Sequence, residues 1–359
     1  MHAAYSRECR FCLLFTVIQT RPAGNSDLRE RLQRQLGDGY VINRELDGGG
    51  SSRVFLATEV ALERSVVLKV LPAVLTDGVD GARFRREILI AARLQHPHLV
   101  PLLSAGDTDS ATSPSSCHWY SMPYVEGHSL RELLTRRGAL PMHEALRLLR
   151  ELATALTYAH AKGVVHRDIK PENVLLCEGA AMISDFGVAK ALDDASAEAL
   201  NSGRRLTTVS MTLGTPAYMA PEQVNNAKVV DHKADLYAFA CLAYELLTGS
   251  APLVRTSLRA TIVAQLSETP VPVRDVRSDT PASVADILMR CLEKDPLQRP
   301  HSASAIVKVL DALAMPTSSR TPADAAAVAS GAPRRGVPRM MIVAGALLVA
   351  AAAYWIFLR

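Results

Sequence analysis

Cysteine is scarce in this chain and scattered: six residues, at positions 9, 12, 117, 177, 241 and 291 of 359. Such irregular spacing in a chain of this size excludes the disulfide framework of a small secreted domain. Cys9 and Cys12 form one C-x-x-C, but no second pair or neighbouring histidine completes a zinc site, so the thiols read as unpaired and the compartment as reducing. Charge of one sign is also lacking. The formal net charge is +4 and the basic residues form no block, which gives a nucleic-acid partner no support. The N-terminal run "FCLLFTVI" is too short to span a bilayer, and no A-x-A cleavage site follows it. Residues 1–26 therefore read as an unstructured leader or an over-extended start, with a signal peptide the lesser alternative.

From Asp27 the pattern becomes regular. "DLRERLQRQL" predicts a helix, and "YVINREL", "RVFLATEV" and "SVVLKVL" alternate as antiparallel strands do. "GARFRREILIAARLQ" has helical periodicity, and "DTDSATSPSSC" reads as a polar surface loop. Beyond Pro141 the chain turns mostly helical: Leu149, Leu152, Leu156 and Ala159 share one face and Gly163 closes that helix. This predicts an α+β domain over residues 27–314, sheet-rich first and helix-rich second. Residues 315–339, rich in Pro, Ala and Ser, form a linker. Residues 340–358, "MMIVAGALLVAAAAYWIFL", carry no charge and as a helix would span roughly 28 Å, about a bilayer's hydrocarbon thickness. Arg334, Arg335 and Arg339 on one side and Tyr354 and Trp355 on the other suit a single membrane span with the preceding domain in the cytoplasm. No sensor domain is expected on the far side within this chain. The small residues of "AGALLVAAAA" would permit self-association in the membrane.

Chemistry enters with "VVHRDIKPENVLL" (164–176) and "SDFGVAK" (184–190). Phosphoryl transfer needs a carboxylate to take the hydroxyl proton, oxygen ligands for Mg²⁺ and a cation near the phosphates. In that order the stretch offers Asp168 as base, Asn173 and Asp185 as metal ligands, and Lys170 as a second cation near the transferred phosphate. Upstream, "ELDGGGSSRVFLA" (45–57) almost fits a phosphate-cradling G-x-G-x-x-G-x-V loop, with Asp47 and Ser52 where the first and third glycines belong. Glycine runs are more often plain turns, so this loop is the least specific of the motifs.

On these motifs the chain resembles the eukaryotic-type, or Hanks-type, Ser/Thr protein kinases, of the bacterial membrane-anchored kind, from about Tyr40 to Leu313. The resemblance implies a two-lobed fold: a small antiparallel β-sheet lobe with one main helix, a larger mostly helical lobe, and a C-terminal transmembrane helix. It implies that Lys69 pairs the nucleotide phosphates with Glu87 as its helix partner, and that Met122 is the gatekeeper before a hinge of Pro123, Tyr124 and Val125. Leu46 and Val54 would close over adenine, and Gly48, Gly49 and Gly50 would supply the backbone of the phosphate loop. Asp47 and Arg53, on the outer face of that hairpin, would form an exposed ion pair worth roughly 0.2–1 kcal/mol. In "GTPAYMAPE" (214–222) Glu222 would pair with Arg299, while Asp235 would support the catalytic loop; Ala240 replaces the family's next glycine.

Lys170 and Thr215 match the family's Ser/Thr-specific pattern. Arg167 would receive a phosphate from the activation segment, whose acceptors are Thr207, Thr208, Ser210 and Thr212. The implied cofactors are ATP and Mg²⁺ (or Mn²⁺); the implied partners are protein substrates with Ser/Thr acceptors and the membrane. Two other classes fit less of the sequence. A membrane-tethered pseudokinase scaffold would show loss of a catalytic group, and only the glycine loop departs. A small-molecule phosphotransferase would lack the segment 214–222.

Overall fold

The structure is a computed structural model and describes residues 25–46, 52–71, 81–108, 117–186, 216–225, 227 and 230–314. The glycine loop 47–51, the acceptors Thr207, Thr208, Ser210 and Thr212, and Thr215 lie outside the described residues, as do the leader to residue 24, the linker and the expected span. The chain divides into two units, Met1–Ala314 and Met315–Arg359. Among the described residues no helix is long and apolar enough to cross a membrane.

Five antiparallel strands form the first lobe: β1 (Tyr40–Leu46), β2 (Arg53–Glu59), β3 (Arg64–Val70), β4 (Ser104–Asp107) and β5 (His118–Pro123), in the order β1-β2-β3-β5-β4. Period-two alternation divides their side chains between two faces. Phe55, Ala57, Val66, Leu68, Val70 and Trp119 pack on one face with Leu32 of helix α1 (Asn25–Leu36). Leu28, Leu32 and Leu36 recur every four residues, which keeps one stripe of α1 on the sheet. Gln33 seals the join by donating to Tyr40 O at 2.7 Å and accepting from Ile42 N at 3.0 Å. The exposed edge of β1 is thereby partly covered. The other face of the sheet meets helix α2 (Gly81–Ala91), whose Ile88 and Ala91 pack with Leu71, Leu102 and Tyr120.

The polar insertion is shorter than its composition suggests. Asp107 belongs to β4 and Cys117 is buried, because Thr108 N donates to Cys117 O and Cys117 N to Thr108 Oγ1, both at 2.8 Å. Residues 109–116 lie outside the described residues.

The second lobe opens with a three-stranded sheet, β6 (His128–Ser129), β7 (Val174–Cys177) and β8 (Ala180–Ile183). Its helices are α3 (Leu130–Arg137), α4 (Met142–Ala161), α5 (Pro221–Val224), α6 (His232–Thr248), α7 (Leu258–Ser267), α8 (Val273–Val276), α9 (Ala282–Cys291) and α10 (Ser304–Ala314). Helix α6 is buried from Lys233 to Leu247, as suits a helix apolar on every side. Asp231 caps its start by accepting from Lys233 N, and Gly249, at φ 87°, ends it. The eight buried residues of α4, among them Leu148, Leu149, Leu152 and Leu156, pack in the same core. Between the lobes the chain passes so close to β7 that a Cβ on Gly127 would lie 2.0 Å from Leu176 O. Only glycine fits there.

Candidate active site

The catalytic loop is fixed from beneath by one carboxylate. Asp235, fully buried in the first turn of α6, accepts His166 N at 2.8 Å on Oδ2 and Arg167 N at 2.7 Å on Oδ1, with His160 Nε2 also 2.8 Å from Oδ2. Burial alone would raise this carboxyl's pKa; the hydrogen bond and charge of His160, with His166, outweigh that and hold it below the usual carboxylate range. Arg167 takes φ 69°, the left-handed region that L side chains rarely enter. The two bonds to Asp235 hold it there. His166 Nδ1 accepts from Asp168 N at 3.1 Å, so the ring proton sits on Nε2, which donates to Ser184 O at 2.7 Å. The same ring meets Phe186 edge-on, with centroids 4.5 Å apart.

This loop brings three predicted residues together. Lys170 Nζ lies 2.7 Å from Asp168 Oδ2, and Asn173 Nδ2 donates to the same oxygen at 2.9 Å and to Asp168 O at 2.8 Å. Asp168 Oδ1 has no protein partner among the described residues and can receive a proton. With both amide hydrogens of Asn173 engaged, its Oδ1 is the end that could ligate a cation.

Asp185 faces this loop from the turn after β8, and its φ of 64° turns the carboxylate up to the first lobe. Lys69 Nζ lies 2.9 Å from its Oδ2 and Tyr120 Oη donates to its Oδ1 at 2.5 Å. Burial pushes the Asp185 carboxyl up, but Lys69, then Tyr120, outweigh it and keep the group below its ordinary pKa. Burial and the neighbouring Asp185 hold the Tyr120 phenol well above its own. Lys69 therefore pairs with Asp185 rather than with Glu87, the partner the resemblance implies; Glu87 stands half-buried on α2. The left-handed backbone at Asp185 brings its carboxylate directly beneath β3 and β5. Asn173 and Asp185 supply hard oxygen donors, which suit Mg²⁺ or Mn²⁺ shared with a polyphosphate. Among the described residues no group of three or more His, Cys, Asp or Glu side chains forms a complete cation cage.

Beside these polar groups lies an apolar cluster. Val67, Val100 and Met122 form it with Leu46, Val54, Tyr124, Val125, Leu175 and Met182. Leu46 and Val54 are register partners across the first hairpin, and Leu175 and Met182 are partners across the second. Apolar side chains of this kind suit contact with a flat heteroaromatic ring. Pro123 has no N–H, and Tyr124 N donates to Ser65 O at 3.2 Å, which leaves Val125 as the hinge's donor. Alternation along β7 could have marked Leu175, since Val174 and Leu176 face the helical core. Arg53 donates twice to Glu45, at 2.9 Å each; Asp47, its expected partner, lies outside the described residues.

Buried ion pairs tie the surroundings down. Arg299, with no side-chain exposure, donates to Glu222 Oε1 and Oε2 at 2.6 and 2.8 Å. Sequence reasoning missed a second network, in which Arg131 on α3 donates to Glu172 at 2.8 Å, to Glu245 at 2.6 Å and to the Tyr218 hydroxyl. No motif spacing marks it, because its members come from four separate segments. Gln223 Nε2 donates to Arg167 O at 2.8 Å and Arg167 Nη2 to Val230 O at 3.1 Å. Elsewhere, a cleft of about 630 Å³ at Arg137, Leu140, Leu247 and Arg277 has its arginines engaged with Glu144, Asp279 and backbone carbonyls. It has no chemistry of its own.

A family profile described as "Protein kinase domain" matches residues 40–310. Among curated proteins the chain is 33% identical over 322 residues to the serine/threonine-protein kinase pkn3 of Myxococcus xanthus, covering 86% of this chain and 57% of that one. It is 33% identical over 273 residues to the serine/threonine-protein kinase PknB of Mycolicibacterium smegmatis, covering 76% of this chain and 42% of the relative. It thus spans about half the length of the curated relatives it matches. A crystal structure of a mutant PknI kinase domain from Mycobacterium tuberculosis superposes with a TM-score of 0.59 at 28% identity, covering 77% of this chain and 96% of the other. The chain belongs to the protein kinase family, and within it is similar to bacterial Hanks-type serine/threonine kinases.

Proposed function

We propose that the chain is a Ser/Thr protein kinase that moves the γ-phosphoryl of ATP to Ser or Thr hydroxyls of proteins, its own activation segment included. The observation that supports this most is the Asp168–Lys170–Asn173 triangle, facing an Asp185 whose charge is held by Lys69. The acceptor hydroxyl gives its proton to Asp168 Oδ1 as its oxygen bonds to the γ-phosphorus and the bond to the β–γ bridging oxygen breaks, releasing ADP. Lys170 holds Asp168 in place and offers positive charge to the moving phosphoryl. Asn173 Oδ1 and Asp185 would hold Mg²⁺, which when bound neutralises phosphate charge. The apolar cluster takes adenine, with Val125 N–H as the polar contact.

Arg167 takes up a phosphate placed on Thr207, Thr208, Ser210 or Thr212, ordering that segment. Residues 340–358 anchor the domain to the cell membrane from its cytoplasmic side. There, raised local concentration favours reaction between copies. The departure of Asp47 from the glycine pattern favours a second reading, a tethered scaffold that binds nucleotide without transferring phosphate.

Incubating the purified chain with γ-labelled ATP, Mg²⁺ or Mn²⁺ and an added protein substrate separates the two. Label on Ser or Thr, of the chain or of the substrate, is the expected result. Bound nucleotide without transfer would establish the scaffold instead. Removal of residues 340–359 should release the chain to the soluble fraction with transfer intact, and aggregation of the truncated chain would contradict the anchor.

A further inference from the structure

Lys69 and Tyr120 stand directly opposite each other in the β3–β5 ladder, so their side chains leave the sheet on one face. They end on the same carboxylate, Lys69 on Asp185 Oδ2 and Tyr120 on Asp185 Oδ1. Tyr120 is fully buried, and its surroundings are Leu71, Ile88, Ala91 and Leu102. A phenylalanine would fill that apolar space equally well, whereas a buried phenol requires an acceptor. Asp185 is its acceptor.

The consequence is orientational. A carboxylate held at one oxygen can turn about its Cβ–Cγ bond, but held at both it cannot. Ser184 Oγ shares Oδ2 with Lys69, at 3.2 Å, so the donor on Oδ1 is Tyr120; it is neutral and fixes the group without cancelling the charge that attracts a cation. We propose that Tyr120 is a positioning residue that holds the Asp185 carboxylate in the orientation in which it ligates the metal of the nucleotide complex. This rests on the phosphoryl-transfer reading above and adds to it a residue outside every motif of the sequence. Hydrogen bonds to metal-ligating carboxylates are commonly worth 10–100-fold in metal affinity or activity.

The test measures metal uptake apart from turnover. Binding of Mn²⁺ to the full chain in the presence of ADP is followed by the paramagnetic resonance signal of free Mn²⁺, for the wild type, Tyr120→Phe and Tyr120→Leu. Tyr120→Phe should raise the Kd for Mn²⁺ about tenfold, leave metal-free ADP affinity unchanged and lower the melting temperature less than Tyr120→Leu does, since only the donor on Asp185 Oδ1 is lost. At saturating ATP and fixed Mg²⁺ its kcat should fall more than its KM changes. Tyr120→Leu should weaken Mn²⁺ by a similar factor and melt at a lower temperature, because it also loses the ring. If Tyr120→Phe binds Mn²⁺ as tightly as the wild type, or more tightly, the hydroxyl does not position Asp185 and the proposal is overturned. A wild-type chain that takes up no Mn²⁺ would overturn the phosphoryl-transfer reading itself, and this proposal with it.

Discussion

The two halves of the candidate active site are held by different kinds of bond. The catalytic loop is held by its backbone: the N–H groups of His166 and Arg167 end on the buried Asp235, and the N–H of Asp168 ends on the His166 ring. The nucleotide half is held by side-chain tips, with Lys69 and Tyr120 meeting Asp185 across the lobes. Backbone bonds to a buried carboxylate permit one geometry, whereas ion pairs between long side chains can exchange partners. Asp168, proposed as the base, is therefore held in one geometry, while the Lys69 pair is the part able to change partner.

The largest effects should come from breaking the second half alone. Lys69→Met and Asp185→Ala should each lower kcat/KM by at least about 10³-fold, with lowered melting temperatures, because each leaves a buried partner unpaired. Retained transfer in either variant, measured with labelled ATP, would mean that the Lys69–Asp185 pair is not at the phosphates.

Breaking the first half should instead unfold the protein. Asp235→Asn removes an acceptor from three donors and should cost about 3–5 kcal/mol of stability at neutral pH, read from urea midpoints. Its pH dependence has a definite sign. The folded pKa of Asp235 is lowered, so as pH falls the unfolded chain takes up the proton first. The stabilisation is complete above about pH 4 and is lost as pH drops through the lowered folded value. The gap between wild type and Asp235→Asn should therefore narrow below about pH 4, and a gap independent of pH would remove the carboxylate's charge from the account.

Two smaller effects sharpen the comparison. If Lys69 must exchange Asp185 for Glu87 before it reaches the phosphates, Glu87→Gln should lower kcat/KM by about tenfold to 10²-fold without changing the melting temperature. No change in steady-state rates would show that the pair in hand already serves. Asp47→Gly should shift the KM for ATP by less than about tenfold, equivalent to roughly 1.4 kcal/mol. If it switched on a silent protein, the glycine loop would be degenerate as found.

Much of the fold was legible because its local and global signals agree. The stretch "YVINREL" coincides with β1, and the leucine stripe of α4 is the stripe that is buried. The catalytic loop was legible for a related reason: Asp168, Lys170 and Asn173 lie within six residues, so sequence spacing nearly determines their spatial spacing. Groups that meet only through tertiary structure were harder to read. Tyr120 needed the β3–β5 register, and the Arg131–Glu172–Glu245–Tyr218 network joins residues up to 114 positions apart. The partner of Lys69 could not be read either. It depends on the backbone at Asp185, whose positive φ an aspartate favours but does not fix.

On the function proposed above, Asp168 serves as the base of a phosphoryl transfer. The most direct measurement is the initial rate of transfer from γ-labelled ATP to Ser/Thr by the wild type and Asp168→Asn at equal concentration, with folding of both checked by circular dichroism. The account predicts a wild-type rate that depends on Mg²⁺ or Mn²⁺, and a loss of at least about 10²–10⁴-fold in the variant, the range that general base catalysis contributes. A folded Asp168→Asn protein that labels itself and its substrate at the wild-type rate would contradict it.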